Sequence, residues 1–312
     1  MPSYSGVWNL VQQYQAQAQG LWPSPPGIAL FGGNSNTNVI DKVLIATSGN
    51  ATDFGDMTTI RRLYGAAASL IRAVFGGGRQ SSTDYQTIDY VVFSTEGNTV
   101  SFGDLTSPGR YVLAASSNNT RALFGGGYNT STGIVGTTDY ITIATTGNAL
   151  SFGNLTTTQY APGACASSTR AIFAGGGITA GGRSNVINYY TISSTGNSTD
   201  FGDLLQTTYS IAGCSSATRG LFAGGQETAG ASNVIQYITI ATIGNSIDFG
   251  DLTAIPQTPA AASSLITALF SGFGNNVINY VTIASTGNAA DYGDLTGSKN
   301  DMSGCSNSHG GL

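Results

Sequence analysis

One pattern recurs six times along this 312-residue chain. A short apolar run reaches a phenylalanine and passes into small residues and glycine, at Phe31, Phe75, Phe124, Phe173, Phe222 and Phe270. A variable polar stretch follows, then a Thr/Ile-rich run that ends in Gly-Asn, at Gly49, Gly97, Gly147, Gly196, Gly244 and Gly287. Five residues after each of those glycines stands an aromatic residue followed by glycine: Phe54, Phe102, Phe152, Phe201, Phe249 and Tyr292. The period is close to 49 residues. A period of this size signals a propeller or an array in which each unit buries its apolar faces against its neighbours.

The spacings separate rigid from tolerant parts of the unit. From Lys42, Tyr90, Tyr140, Tyr189, Tyr237 and Tyr280 to the next turn glycine is seven residues in all six units. From the apolar phenylalanine to those positions is 11, 15, 16, 16, 15 and 10 residues. Each unit reads as four strands, a to d. In the fourth, strand a is a small apolar run over residues 161–167, strand b covers 171–174, strand c 186–194 and strand d 199–204. Gly and Asn supply the turns and β-branched or aromatic residues supply the strands. Many short strands at regular spacing predict an all-β closed architecture, here a six-bladed propeller of four-stranded blades. The c–d hairpin has a fixed length, and the variable b–c loops fall on one face, often the binding face of such folds.

The two ends of the repeat are out of phase. The first unit begins at strand b near Ile28, and residues 301–308 form a strand a with no b, c or d after it. Pairing of these two segments would complete the first blade and close the ring, removing exposed sheet edges.

Residues 1–27 lie outside the repeat, which makes 28–312 the propeller domain. Val7, Leu10, Val11 and Tyr14 follow helical spacing, predicting an amphipathic helix over residues 5–19 that Gly20 stops. Trp8 and Trp22, the two tryptophans, sit in the same segment, and Pro23, Pro25 and Pro26 form a stiff connection to the ring. A helix with an apolar stripe outside a closed fold predicts an anchor, with Val7, Trp8, Leu10, Val11, Tyr14 and Trp22 as its contact residues.

Composition excludes several functions. Net charge is −5, 9% of residues are charged, and lysine occurs at Lys42 and Lys299 alone. That argues against nucleic acid and against an anionic membrane surface. No apolar run is long enough to span a membrane, and no secretory leader is evident. The three cysteines, Cys165, Cys214 and Cys305, occupy one repeat position and read as small buried residues. Self-association into a homo-oligomer stays open.

The pattern resembles the kelch repeat. Phe173-Ala174-Gly175-Gly176, Tyr189 and Phe201 fit that family's Gly-Gly strand, tyrosine and late aromatic, and arginines recur at Arg72, Arg121, Arg170 and Arg219. The family's tryptophan is Phe or Tyr here, and the arginine sits close to the Gly-Gly strand. The resemblance covers residues 28–312 and implies a propeller. The opening Met1-Pro2-Ser3-Tyr4-Ser5-Gly6-Val7-Trp8, with the Gln-rich helix and Trp22-Pro23, is similar to the start of virion structural proteins of marine cyanobacterial phages. That similarity implies a particle component such as a tail fibre, adhesin or decoration protein, located in the virion and bound to other virion proteins through the helix.

Catalytic readings meet a thin inventory. The single histidine, His309, leaves neither a two-histidine copper site nor a serine-type triad a natural place. Arg72, Arg121, Arg170 and Arg219 occupy repeated turns and form a ring, not a convergent cluster. The two glutamates, Glu96 and Glu227, fall in a c–d turn and a b–c loop, on opposite faces. Asp56, Asp104, Asp203, Asp251 and Asp294, with Asn154 in the sixth place, repeat on every blade as turn residues do. A carbohydrate-active enzyme, glycosidase or sialidase-like, is therefore the second expectation. The first is a non-enzymatic binding module. Its candidate residues lie in the b–c loops: Arg79, Asp84, Tyr85, Tyr128, Asn129, Arg183 and Glu227. Neutral hydroxyls and amides beside aromatic rings suit contact with a host-surface glycan or protein. Nothing in the pattern calls for a cofactor or a metal.

Overall fold

The computed structural model describes residues 27–106, 108–256 and 258–312. Among these residues the chain forms a six-bladed β-propeller of four-stranded antiparallel blades, ordered a-b-c-d. In blade 4 the strands are Gly163–Ala166, Arg170–Ala174, Ser184–Thr191 and Thr199–Tyr209. Strand d runs past its expected end because Thr208 and Tyr209 pair with Glu227 and Gln226 of blade 5. The helix expected over residues 5–19, and the anchor residues on it, lie outside the described residues.

The ring closes as the phase of the repeat requires. Strand a of blade 1 is Ser303–Ser306 and strand b is Ile28–Gly32, paired Ala29↔Ser306 through Gly32↔Ser303. The Ile28 N–H donates to Asn307 Oδ1 at 2.7 Å and the Asn307 N–H to Ile28 O at 3.2 Å, extending the seam.

Each blade packs on the one before it through its strand b phenylalanine. Phe31, Phe75, Phe124, Phe173, Phe222 and Phe270 are fully buried. The ring of Phe173 lies against Gly125 of blade 3, and that of Phe124 against Gly76 of blade 2. The invariant c–d length also has a visible cause. Every c–d pair carries a register shift, for example between Thr138 and Asp139, so that the strand d aromatic becomes the extra residue of a bulge. That aromatic meets the strand c tyrosine edge-on, as in Tyr140–Phe152 at 5.5 Å and 81°. The glycine after it lies under the Gly-Asn turn of the next blade, where any Cβ would overlap that turn's backbone. The turn asparagine accepts from the strand d backbone: Asn98 Oδ1 from Asp56 N–H at 3.0 Å, and so on round to Asn50 from Asp294.

The bulge turns one strand c side chain inward toward the preceding d–a linker. At three successive boundaries, across the seam, this makes a buried ion pair: Lys299–Asp41 at 2.9 Å, Arg61–Asp89 at 2.9 Å and Arg110–Asp139 at 3.0 Å. At the other three boundaries the strand c residue is Asn188, Gln236 or Asn279, and the linker position seven residues after the strand d aromatic holds Gln159, Thr208 or Pro256. Burial pushes the Arg61 and Arg110 guanidiniums below their ordinary range, while Asp89 and Asp139 draw them back up.

Strand a lines a central channel. Leu63, Val112, Ala161, Ser210 and Asp301 all take positive φ, from 49° to 58°, at one mouth. Val112 donates its N–H to Leu63 O, Ala161 to Val112 O, Ser210 to Ala161 O and Leu63 to Asp301 O, at 2.6–2.8 Å. These bonds girdle the mouth from blade to blade. At the other mouth, residues 307–312 turn across the opening instead of continuing as a strand. Gly310 N–H donates to Ser215 O at 2.9 Å. His309 Nδ1 accepts from Gly311 N–H at 3.1 Å, which leaves Nε2 to donate to Ala68 O at 3.0 Å. Desolvation lowers the His309 pKa, in keeping with this neutral form. The cysteines line the same half of the channel, free and buried, with thiols pushed well up by burial.

Candidate recognition face

Antiparallel blades place the a–b and c–d turns on one face and the d–a linkers and b–c loops on the other. The first face repeats. Arg72, Arg121, Arg170 and Arg219 each reach a main-chain carbonyl of the next blade at 2.8–3.0 Å, and each lies over a strand c tyrosine at 4.7–5.0 Å. They tie blades together. Glu96 is on this face too, paired with Lys42.

The second face does not repeat. The residue before four of the five girdle residues pairs with the first b–c residue of the next blade: Arg62↔Arg79, Tyr111↔Tyr128, Tyr160↔Gly177 and Tyr209↔Gln226. Tyrosine thus fills this position on three successive linkers. With Tyr128 they make a row, ring centroids 5.6 Å apart for Tyr111–Tyr128, 6.5 Å for Tyr128–Tyr160 and 5.7 Å for Tyr160–Tyr209. Arg79 covers the Tyr111 end at 4.6 Å and Arg183 the Tyr209 end at 5.3 Å. Gly177 is where the row needs a gap, since any side chain there would run into the Tyr160 ring. Desolvation, helped by Tyr209 and Tyr111, raises the Tyr160 pKa, so its hydroxyl stays protonated.

Between the b–c loops of blades 3 and 4 the row opens into a cleft of about 420 Å³, lined by Tyr111, Val112, Tyr128, Ile134, Tyr160, Ile178 and Gly181. The loops around it are held in place. The b–c segments of blades 2, 3 and 5, expected as loops, are short hairpins such as Tyr128–Asn129 with Gly133–Ile134. Blade 4 instead has a single helical turn, Thr179–Gly181.

The loop residues singled out in the sequence divide by what they touch. Arg79, Tyr128 and Arg183 belong to the row. Asp84 accepts from the Thr130 N–H and hydroxyl, both at 2.7 Å, and lies 3.6 Å from Arg79, joining two hairpins. Asn129 is buried, accepting from Ser131 N–H at 2.9 Å and Thr132 N–H at 3.0 Å and donating to Gly109 O. Tyr85 donates its main-chain N–H to Gly78 O at 2.8 Å. Glu227 pairs with Thr208 in the extended sheet of blade 4. Tyr111, Tyr160 and Tyr209 were missed among the candidates, although their 49-residue recurrence stands in the sequence.

No protein-family model matches this chain, and no curated protein matches it. Among the described residues no helix is long and apolar enough to cross a membrane.

Proposed function

We propose that this propeller is a non-enzymatic recognition module that presents its b–c face to a partner. The observation that carries this reading is where the blades differ. The a–b and c–d face repeats its ties from blade to blade, while the b–c face breaks the symmetry with a braced row of tyrosines and a cleft. A surface that served only packing would repeat on both faces. The carboxylates a glycosidase would use stand elsewhere: Glu96 on the opposite face, Asp84 held by Thr130 and Arg79, and Glu227 in a sheet. The similarity of the first residues to phage structural proteins is what supports placing the ring on a virion; the kelch-like repeat speaks only for the propeller. Residues 1–26, with Trp8 and Trp22, would join it to other virion proteins.

The test uses particles that carry the chain. Fab fragments against the Asn129–Gly133 hairpin turn should block adsorption to host cells, and Fabs against the c–d turns should not. Deleting residues 1–26 should leave a folded ring that no longer enters particles. Adsorption indifferent to both Fabs, or incorporation intact after the deletion, would refute the corresponding half of the reading.

A further inference from the structure

The recognition reading leaves the ligand class open, and the cleft between blades 3 and 4 narrows it. We propose that this cleft binds an uncharged sugar ring of a glycan, stacked on Tyr128 and Tyr160; this rests on the b–c face being the recognition face. Its volume of about 420 Å³ lies within the range of small-molecule sites, about 300–1,000 Å³. Its lining is three phenol rings, two isoleucines, a valine and a glycine. A pyranose offers an apolar C–H face ringed by hydroxyls. Tyrosine offers the matching surface, a π face for the C–H groups and a phenol that donates and accepts at the rim.

Charge selects within the saccharides. No ionised side chain lines the cleft. Arg79 and Arg183 stand at the ends of the row, each over a tyrosine, with Arg79 Nε donating to Ser81 O at 2.8 Å and Arg183 Nε to Gln226 O at 3.0 Å. A carboxylate or sulfate in the cleft would lose its hydration with no counter-charge lining the site.

The site is also built before the ligand arrives. The Tyr111↔Tyr128 and Tyr160↔Gly177 pairings fix two of its walls, and the edge-on packing of Tyr128 on Tyr160, at 81°, fixes the angle between the rings. Rings already immobilised lose little entropy on binding. The position is specific to one place on the ring. Between blades 1 and 2 the same pairing holds Arg62 and Arg79, and between blades 4 and 5 it holds Tyr209 and Gln226 with Arg183 over the tyrosine.

The experiment is affinity electrophoresis of the full chain through gels containing neutral polymers (a β-glucan, a mannan, a galactan, a xylan) or anionic ones (alginate, a carrageenan). At least one neutral polymer should retard the chain, and retardation should persist at about 1 M salt, where the screening length is roughly 3 Å. Tyr128→Ala and Tyr160→Ala should each weaken it about tenfold, the equivalent of one lost ring contact of roughly 1.4 kcal/mol. Tyr128→Phe should keep most of it. Ile178→Lys places a cation at the cleft without removing a ring, and should abolish retardation even if a tyrosine variant fails to fold. Retardation by anionic polymers alone, lost in salt, overturns the proposal. So does neutral-polymer binding that ignores Tyr128→Ala, Tyr160→Ala and Ile178→Lys alike. If no polymer retards the chain but b–c Fabs still block adsorption, the saccharide is wrong and recognition stands on a protein partner. If neither occurs, both readings fall.

Discussion

At the scale of single residues, the ring is held by a polar position that is an acid on three successive blades and an amide on the other three. Asp41, Asp89 and Asp139 meet a cation, while Asn188, Gln236 and Asn279 stand where the linker carries Gln159, Thr208 and Pro256 in place of one. Whenever the strand c residue is an acid, the linker residue is a base, as desolvation demands of a buried carboxylate. Asp139→Asn should therefore cost about 3–5 kcal/mol, because it strands a buried guanidinium. Arg110→Gln with Asp139→Asn installs the residue types of the neighbouring boundary, Gln159 and Asn188, and removes the stranded charge, so it should recover part of that loss. Urea unfolding of the cycle measures it; a double variant as unstable as the sum of the singles would show that the pair is not coupled. These partners stood in the sequence, with the linker residue seven places after the strand d aromatic in five units and eight in the other. They went unread because nothing in the spacing says that a linker side chain turns inward; the bulge that aims Asp139 at Arg110 exists only once strands c and d have paired. The tyrosine row was hidden for the same reason. The recurrence of Tyr111, Tyr160 and Tyr209 is visible, but a linker with no regular structure gives no direction to a side chain.

At the scale of strands and turns the sequence was far more legible. Phenylalanine at the end of strand b, Gly-Asn at the c–d turn and the fixed seven- and five-residue spacings each correspond to one packing contact. Strand a of blade 1 and its partner strand b were readable from phase alone. What escaped was the short hairpin character of the b–c segments, because two-residue strands of Arg, Gln, Thr and Asp carry no apolar alternation. The element contacts make a graded expectation. Phe173→Ala should cost about 3–5 kcal/mol, as emptying a filled core position does. Gly153→Ala should cost about 1–3 kcal/mol, since the added methyl meets the Gly196 carbonyl of the next blade. Ser151→Ala, two residues away on the exposed side of the same strand, should change little. Thermal unfolding of the three variants is the check, and equal stability for Gly153→Ala and Ser151→Ala would remove the steric account of the repeated glycine.

At the scale of the whole molecule, the last twelve residues do two separable things. Ser303–Ser306 supplies the inner strand of blade 1 and brings Lys299, just before it, onto Asp41. Residues 307–312 supply no strand; they cover one mouth of the channel, where Gly310 and Gly311 pass so close to Ser216 and Ser117 that no side chain would fit. A ring is cooperative in a way an open array is not: losing this inner strand bares the edge of strand b of blade 1 and removes what the inner strands of blades 6 and 2 pack against. Deleting 301–312 should therefore lower the unfolding temperature sharply or abolish the folded state. Deleting only 308–312 should keep Asn307 and its bond to Ile28, open the mouth, and leave the ring folded with a modest loss. Differential scanning calorimetry of the two truncations, with hydrogen exchange at Ile28–Gly32, distinguishes the roles. Strand b of blade 1 should lose protection only in the longer deletion. If both truncations melted like the full chain, pairing across the seam would not be what closes the propeller.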